Sequence, residues 1–286
     1  MRKKTLAGLL IMLSFTAVSA QINLSFNPEK GAKYEIQTEM TQSAKQSVMG
    51  QEVPMEVEVK ESYLMEIKDK TPQEIQVQLT FKDVLLVMSS PMGNSRLDSE
   101  NPAVSSLFNK SYLMAFTQDG SVKSVTEINN AVENPANTSG ANWQVDAQIV
   151  AQLNQQFGAD ALKTQFERSF KIYPANAVRV GDSWNIESTL PISNMNASVK
   201  TKYTLKEING NIATVAVESD MEMTAGAGME GTLAGTGTGT MTIDIRTGLP
   251  ITIDSVQNIA GFLKAQGIDV QVQITTKAKA SIKEVR

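Results

Sequence analysis

The side chains that could do chemistry are scattered, and the groups that would activate them are missing. Gly181-Asp182-Ser183 has the outline of a hydrolase turn, but the chain contains no His and no Cys. Neither a Ser-x-x-Lys pair nor G-x-S-x-G occurs, so nothing is placed to take the Ser183 proton. The same absences exclude Ser-His-Asp and Cys-His catalysis, disulfides, and the zinc, haem and blue-copper sites that rely on imidazole or thiolate ligands. Asp244 and Asp254 could in principle divide acid and base work, yet nothing around them lifts them above solvated surface charge. The expectation is a protein that is not an enzyme and carries no cofactor or metal.

A glycine–threonine tract over 231–245 is more distinctive. Its odd positions hold Leu233, Gly235, Gly237, Gly239, Met241 and Ile243, and its even positions are mostly Thr. Read as a strand, one face loses three consecutive side chains, each interior Gly costing about 0.5–1 kcal/mol against Ala. A helix pressed on bare backbone, a sharp bend of the sheet, or an apolar ligand filling the space would each make that tolerable. The tract is no phosphate loop, because it lacks G-x-x-x-x-G-K-[ST] and opens no helix. Methionine is also prominent. Met40, Met55, Met65, Met88, Met114, Met221, Met223 and Met241 all fall in segments that read as strands. Met adapts to irregular apolar surfaces as well as filling cores. Together these features make Gly235, Gly237, Gly239, Met241 and Ile243 the candidate lining of an apolar ligand cavity.

The elements that would position such a lining are mostly β. Residues 33–40, 53–59 and 75–81 alternate apolar and polar, as antiparallel strands with one wet face do. Pro54 marks a strand start or a sheet edge. Residues 89–109 read as a loop with a short helix at 103–108. Tyr112, Met114 and Phe116 alternate up to a turn at Asp119-Gly120. Ser124 to Glu127 fits a capping box, and a helical segment is expected over 123–172, carried by Val145, Ile149, Leu153 and Phe157 and then by Leu162, Phe166 and Phe170. Strands return near Tyr203, Val215 and Val272, with turns at Asn209-Gly210 and Thr247-Gly248. The β segments before and after the helices also match in outline. Gly31 stands three residues before Tyr34, and Gly181 three before Trp184. Asp119-Gly120 corresponds to Thr247-Gly248. The expected fold class is α+β: a strongly curved antiparallel sheet, half-barrel-like, with the central helices on its concave face.

The first twenty residues read as a secretory signal peptide, with Arg2, Lys3 and Lys4 before an apolar run at 6–15 and Val18-Ser19-Ala20 at the cleavage site. Removing those three cations takes the formal net charge from −4 to −7. Such a chain has no electrostatic footprint for nucleic acid, and no other apolar run is long enough to span a membrane. Residues 21–286 are expected to form one exported domain, periplasmic or extracellular, as a β half over 21–122, the helical segment and a β half over 173–286. Asp254-Ser255-Val256 resembles the short O-glycosylation sequon of exported Bacteroidota proteins. The whole mature chain resembles an uncharacterised family of exported Bacteroidota proteins known only as a domain of unknown function. That likeness rests on Gly31-Ala32-Lys33-Tyr34, on Pro174 followed by Val178-Arg179-Val180-Gly181-Asp182-Ser183-Trp184, and on Asp244-Ile245-Arg246-Thr247-Gly248-Leu249-Pro250. The β–helix–β order is also similar, in topology only, to the half-barrel of periplasmic lipoprotein carriers. The function expected is non-enzymatic binding of a lipid or other apolar ligand. The alternative is a structural or assembly protein of the cell envelope that meets a protein partner.

Overall fold

The computed structural model describes residues 21–48, 50–101, 104, 110–129, 157–192, 195–226, 229–265 and 268–285. Twelve strands form one antiparallel sheet: β1 (Lys33–Val48), β2 (Gln51–Lys70), β3 (Ile75–Ser90), β4 (Gly93–Leu97), β5 (Lys110–Phe116), β6 (Val122–Asn129), β7 (Ser183–Ile192), β8 (Met195–Asn209), β9 (Ile212–Ala225), β10 (Met229–Asp244), β11 (Pro250–Ala265) and β12 (Ile268–Val285). Among the described residues there is one long helix, α1 (Ala159–Phe170). The fold is therefore mainly β rather than α+β.

The strand order is β6-β5-β3-β2-β1-β12-β11-β10-β9-β8-β7, with β4 paired to β3. Two meanders thus meet where β1 pairs β12, and the sheet stays open between β6 and β7. Two segments differ from the sequence pattern. Residues 123–129 belong to β6, not to a helix. The tight turn at Asp119-Gly120 lays them back along β5, and Val122, Val125, Thr126 and Ile128 are β-branched residues that suit that ladder. The irregular stretch after Ser89 begins with a hairpin, since β4 pairs the end of β3. The short helix expected at 103–108 lies, Val104 apart, outside the described residues, as do Val145, Ile149 and Leu153. Pro54 sits inside β2 opposite Lys45, but where β2 has outrun β3, whose pairing ends at Glu56 and Ser89. There its missing N–H costs no ladder bond.

The two meanders repeat in detail. Gly31 N donates to Ile67 O at 2.8 Å and Ile67 N to Ala32 O at 2.9 Å. Gly181 N donates to Leu205 O at 2.7 Å and Leu205 N to Asp182 O at 3.0 Å. Register shifts follow at Ile67/Asp69 and at Leu205/Glu207. Gly120 and Gly248 then close equivalent turns, with φ of 80° and 73°. The repeat maps β1, β2, β3, β5 and β6 onto β7 to β11, leaving β12 to join the halves.

The N-terminal segment shows how far the sheet bends. Phe26 N donates to Gln118 O in the β5–β6 turn, and the next amide, Asn27 N, to Thr247 O in the β10–β11 turn, both at 2.8 Å. Those turns therefore lie within about 10 Å of each other. In a flat sheet, six strand spacings would hold them about 29 Å apart. The sheet curls toward the face that carries Phe26, here called the inner face. The main core lies there, with Phe26, Tyr63, Phe81, Phe116, Phe166 and Phe170 buried together with Tyr203 and Met241 of the other meander.

The β10–β11 turn also carries an acid-sensitive contact. Arg246 donates from Nη2 to Asp244 Oδ2 at 2.8 Å and from Nε to Oδ1 at 3.2 Å. This guanidinium holds the Asp244 carboxyl below the usual aspartate range. A depressed folded-state value adds stability that is present above the unfolded value of about 3.9 and lost as pH falls through the folded value. Asp244→Asn is expected to melt below the parent at neutral pH and to converge on it once the pH has fallen through the depressed folded-state value. Thermal melts across that range check the convergence. A gap that persists in acid would mean the carboxylate charge contributes nothing.

Candidate functional site

Strand register builds the site row by row. One inner-face row runs across seven strands as Met55, Ala44, Ile274, Ile259, Gly235, Met221 and Val199. The next, toward the main core, is Val57, Gln42, Thr276, Gln257, Gly237, Ser219 and Thr201, and the one after is Val59, Met40, Ala278, Ser255, Gly239, Val217 and Tyr203. All eight strand methionines named above face this side. Of the middle row, every residue is half-buried, and none carries a charge. Met221 and Ile259 of the first row join Ala197, Met223, Leu233 and Val272 beyond it in a second, small apolar cluster. The inner face thus changes along the strands from aromatic core, through small and polar, to Met-rich aliphatic.

The glycine stripe is filled by its own sheet. A Cβ at Gly235 would collide with the Asn258 carbonyl oxygen and lie 2.7 Å from Ile259 Cγ1. At Gly239 it would lie 2.6 Å from Asp254 O and 2.9 Å from Ser255 Cβ, and at Gly237 it would strike Ser219 Oγ. At Gly235 and Gly239 the backbone of β11 leans over β10 where side chains are absent, a close approach of one strand to another. Gly235, Gly237 and Gly239 remain half-buried on the inner face. Met241 and Ile243, 4% and 1% exposed, belong to the main core, where they floor the glycine rows from below. Ser255 of the glycosylation-like sequence also turns to the inner face, paired with Ala278 and Gly239.

The opposite face is polar. Where β8 to β12 cross, it carries a trough of 840 Å³ lined by residues including Lys200, Asp220, Glu222, Thr236, Asn258 and Thr275. Of the five residues singled out from sequence, only Gly235 borders it. Among the described residues no group of acidic side chains is placed to hold a metal ion, and no helix is long and apolar enough to cross a membrane.

The helix supplies a charge that the sequence pattern did not flag. Leu162, Phe166 and Phe170 recur at helical spacing and are buried against the sheet. Gln165 Nε2 donates to Glu61 Oε2 on β2 at 3.0 Å, and Tyr63 OH donates to the same oxygen at 2.6 Å. Arg168 stands on the other side of the helix and is exposed. Surrounding protein still strips enough water from its guanidinium to push it below the usual arginine range, and Tyr203 on β8 acts on it electrostatically. Burial pushes the Tyr203 hydroxyl up to about 12. The available signal was a lone cation opposite an aromatic stripe, which in sequence is indistinguishable from a solvated helix face.

A model described as a family of unknown function, DUF6263, matches residues 72–250. No curated protein matches the chain in sequence. Among solved structures, one described as "Lipid-protein interactions in lipovitellin" is similar with a TM-score of 0.51 at 11% identity, covering 89% of this chain and 25% of that one. The chain therefore spans about a quarter of that neighbour, and the likeness is one of fold. An outer membrane channel from Pseudomonas putida F1 matches at a TM-score of 0.27 and 10% identity, covering 90% of this chain and 98% of that one. OccK5 from Pseudomonas aeruginosa matches at 0.27 and 5%, covering 88% and 98%. Scores that low say nothing about a shared fold.

Proposed function

We propose that this chain, which belongs to the DUF6263 family of unknown function, is an exported, non-enzymatic binding protein for a lipid or other apolar ligand. The ligand lies against the inner face of a half-barrel sheet, with α1 closing the aromatic end. The observation that carries the reading is the one-sidedness of the methionines: the eight that the sequence places on strands all face inward, and Met195 at the start of β8 faces the same way. Met40 and Met55 are half-buried rather than sealed. A face that only filled a rigid core would favour branched side chains with defined rotamers, whereas flexible thioethers suit partners of varying shape. Likeness in fold to lipovitellin, whose structure is described in terms of lipid–protein interactions, supports the same reading. Export rests on the leader at 1–20 and places the ligand in the cell envelope or outside the cell.

Mass spectrometry under native conditions tests this. The mature chain, purified without detergent from its own envelope fraction, is expected to carry a lipid that organic extraction releases. Protein found only at its bare sequence mass, with a melting temperature unmoved by added lipid, would sink the reading.

A further inference from the structure

Resting on that reading, we infer that Arg168 anchors the headgroup of the ligand, and that the ligand is a lipid with an anionic headgroup. The stripe of Leu162, Phe166 and Phe170 packs toward β2 and β5, where Phe166 meets Tyr63 and Phe170 meets Phe116. Arg168 is two residues beyond Phe166, roughly 200° round the helix, so it faces away from that wall; Tyr203 of β8 is buried in the same core as Phe166 and Phe170 and is near enough for the two to act on each other electrostatically. In sheet order β2 and β8 are six strand spacings apart. One helix reaches both because the sheet curls around it. Arg168 is thus exposed on the side of α1 that turns away from the β2–β5 wall.

No counter-charge meets it. Among the described residues Arg168 forms no ion pair and no hydrogen bond; Glu167 beside it pairs with Lys171, and Glu61 on β2 is held by Tyr63 and Gln165. The row that ends at Tyr203 is followed by the row of Thr201, Ser219, Gln257, Thr276 and Gln42, all uncharged and able to hydrogen-bond. Past it come the Met and Ile rows. From Gly239 to Leu233 this sequence spans about 20 Å along β10. A cation, then neutral polar groups, then an oily stretch is the order of an anionic amphiphile read from head to tail. A wholly apolar ligand would leave the guanidinium without a partner, whereas a carboxylate or phosphate would accept charge-assisted hydrogen bonds from it.

Calorimetric titration of the mature chain with oleate, with oleyl alcohol and with inorganic phosphate separates head from tail. Oleate is expected to bind about tenfold or more tighter than oleyl alcohol, the size of one charge-assisted contact. Arg168→Gln is expected to erase that preference while leaving oleyl alcohol binding unchanged, and Arg168→Lys to keep most of it. Equal affinity for oleate and oleyl alcohol on the parent chain overturns the anchor and leaves the apolar-binding reading intact. So does a preference that survives in Arg168→Gln. Arg168-dependent binding of phosphate without any binding of oleyl alcohol overturns the lipid in favour of a small anion. Failure of both oleyl ligands to bind removes the anchor and the underlying reading together. The comparison on the parent chain needs no variant to fold.

Discussion

Gly248→Ala is expected to destabilise the protein by about 4 kcal/mol, and Gly120→Ala by a similar amount. At each position two costs coincide. The backbone is left-handed, with φ of 73° and 80°, which charges any L side chain about 1–2 kcal/mol. A Cβ at Gly248 would also collide with the Ser25 carbonyl oxygen, and one at Gly120 with the Phe170 carbonyl oxygen. These neighbours are backbone and cannot swing aside as a side chain could. The segment 25–27 would have to lift, and with it the Phe26–Gln118 and Asn27–Thr247 hydrogen bonds that draw the two ends of the curl together. Each such bond is worth about 1 kcal/mol net. The duplicated fold supplies its own control. Gly31 and Gly181 are equally left-handed, at 85° and 96°, but a Cβ there meets nothing within 4 Å. Ala at either is expected to cost only the conformational term of about 1–2 kcal/mol. Urea unfolding of the four variants checks the split. Equal losses at all four would show that the contacts of Gly248 with the N-terminal segment and of Gly120 with the end of α1 contribute nothing.

That contrast also marks how far the sequence could be read. Gly120 and Gly248 are legible as turns, and their correspondence is legible as topology. Their closeness in space is not, because it depends on Phe26 and Asn27, which no local pattern distinguishes from an extended leader end. Strands at 33–40, 53–59 and 75–81 follow from strict alternation, while their extension to sixteen or twenty residues follows from ladder partners far along the chain. The capping box at 124–127 gives way to β6 because local helix signals are weaker than a ready hairpin partner. The glycine tract shows the same limit. Its missing side chains announce a special place, but only register reveals that β11 fills it. Arg168 was invisible for another reason: being unpaired is a property of three elements at once.

Phe170→Ala is expected to cost about 4 kcal/mol, within the range for truncating a buried aromatic. The ring is 2% exposed and joins α1 to the N-terminal segment and to β5. Its centroid lies 5.3 Å from Phe26 of the N-terminal segment, 5.6 Å from Phe116 of β5 and 5.9 Å from Phe166 one helical turn away. The first two contacts are edge-to-face and the third is stacked; such aromatic pairs add about 0.5–1.5 kcal/mol beyond burial. The void left cannot collapse easily, since the Phe170 carbonyl is wedged against Gly120. Phe262 on β11, 62% exposed, provides the comparison: its truncation to Ala is expected to stay within about 0.5 kcal/mol. The double variant Phe26→Ala/Phe170→Ala should then lose less than the sum of its parts, because both rings stabilise one contact. Full additivity would mean that α1 and the N-terminal segment pack on the sheet independently. The curl would then owe nothing to their mutual contact, and Arg168, in the same last turn of α1, would no longer be held in place by it.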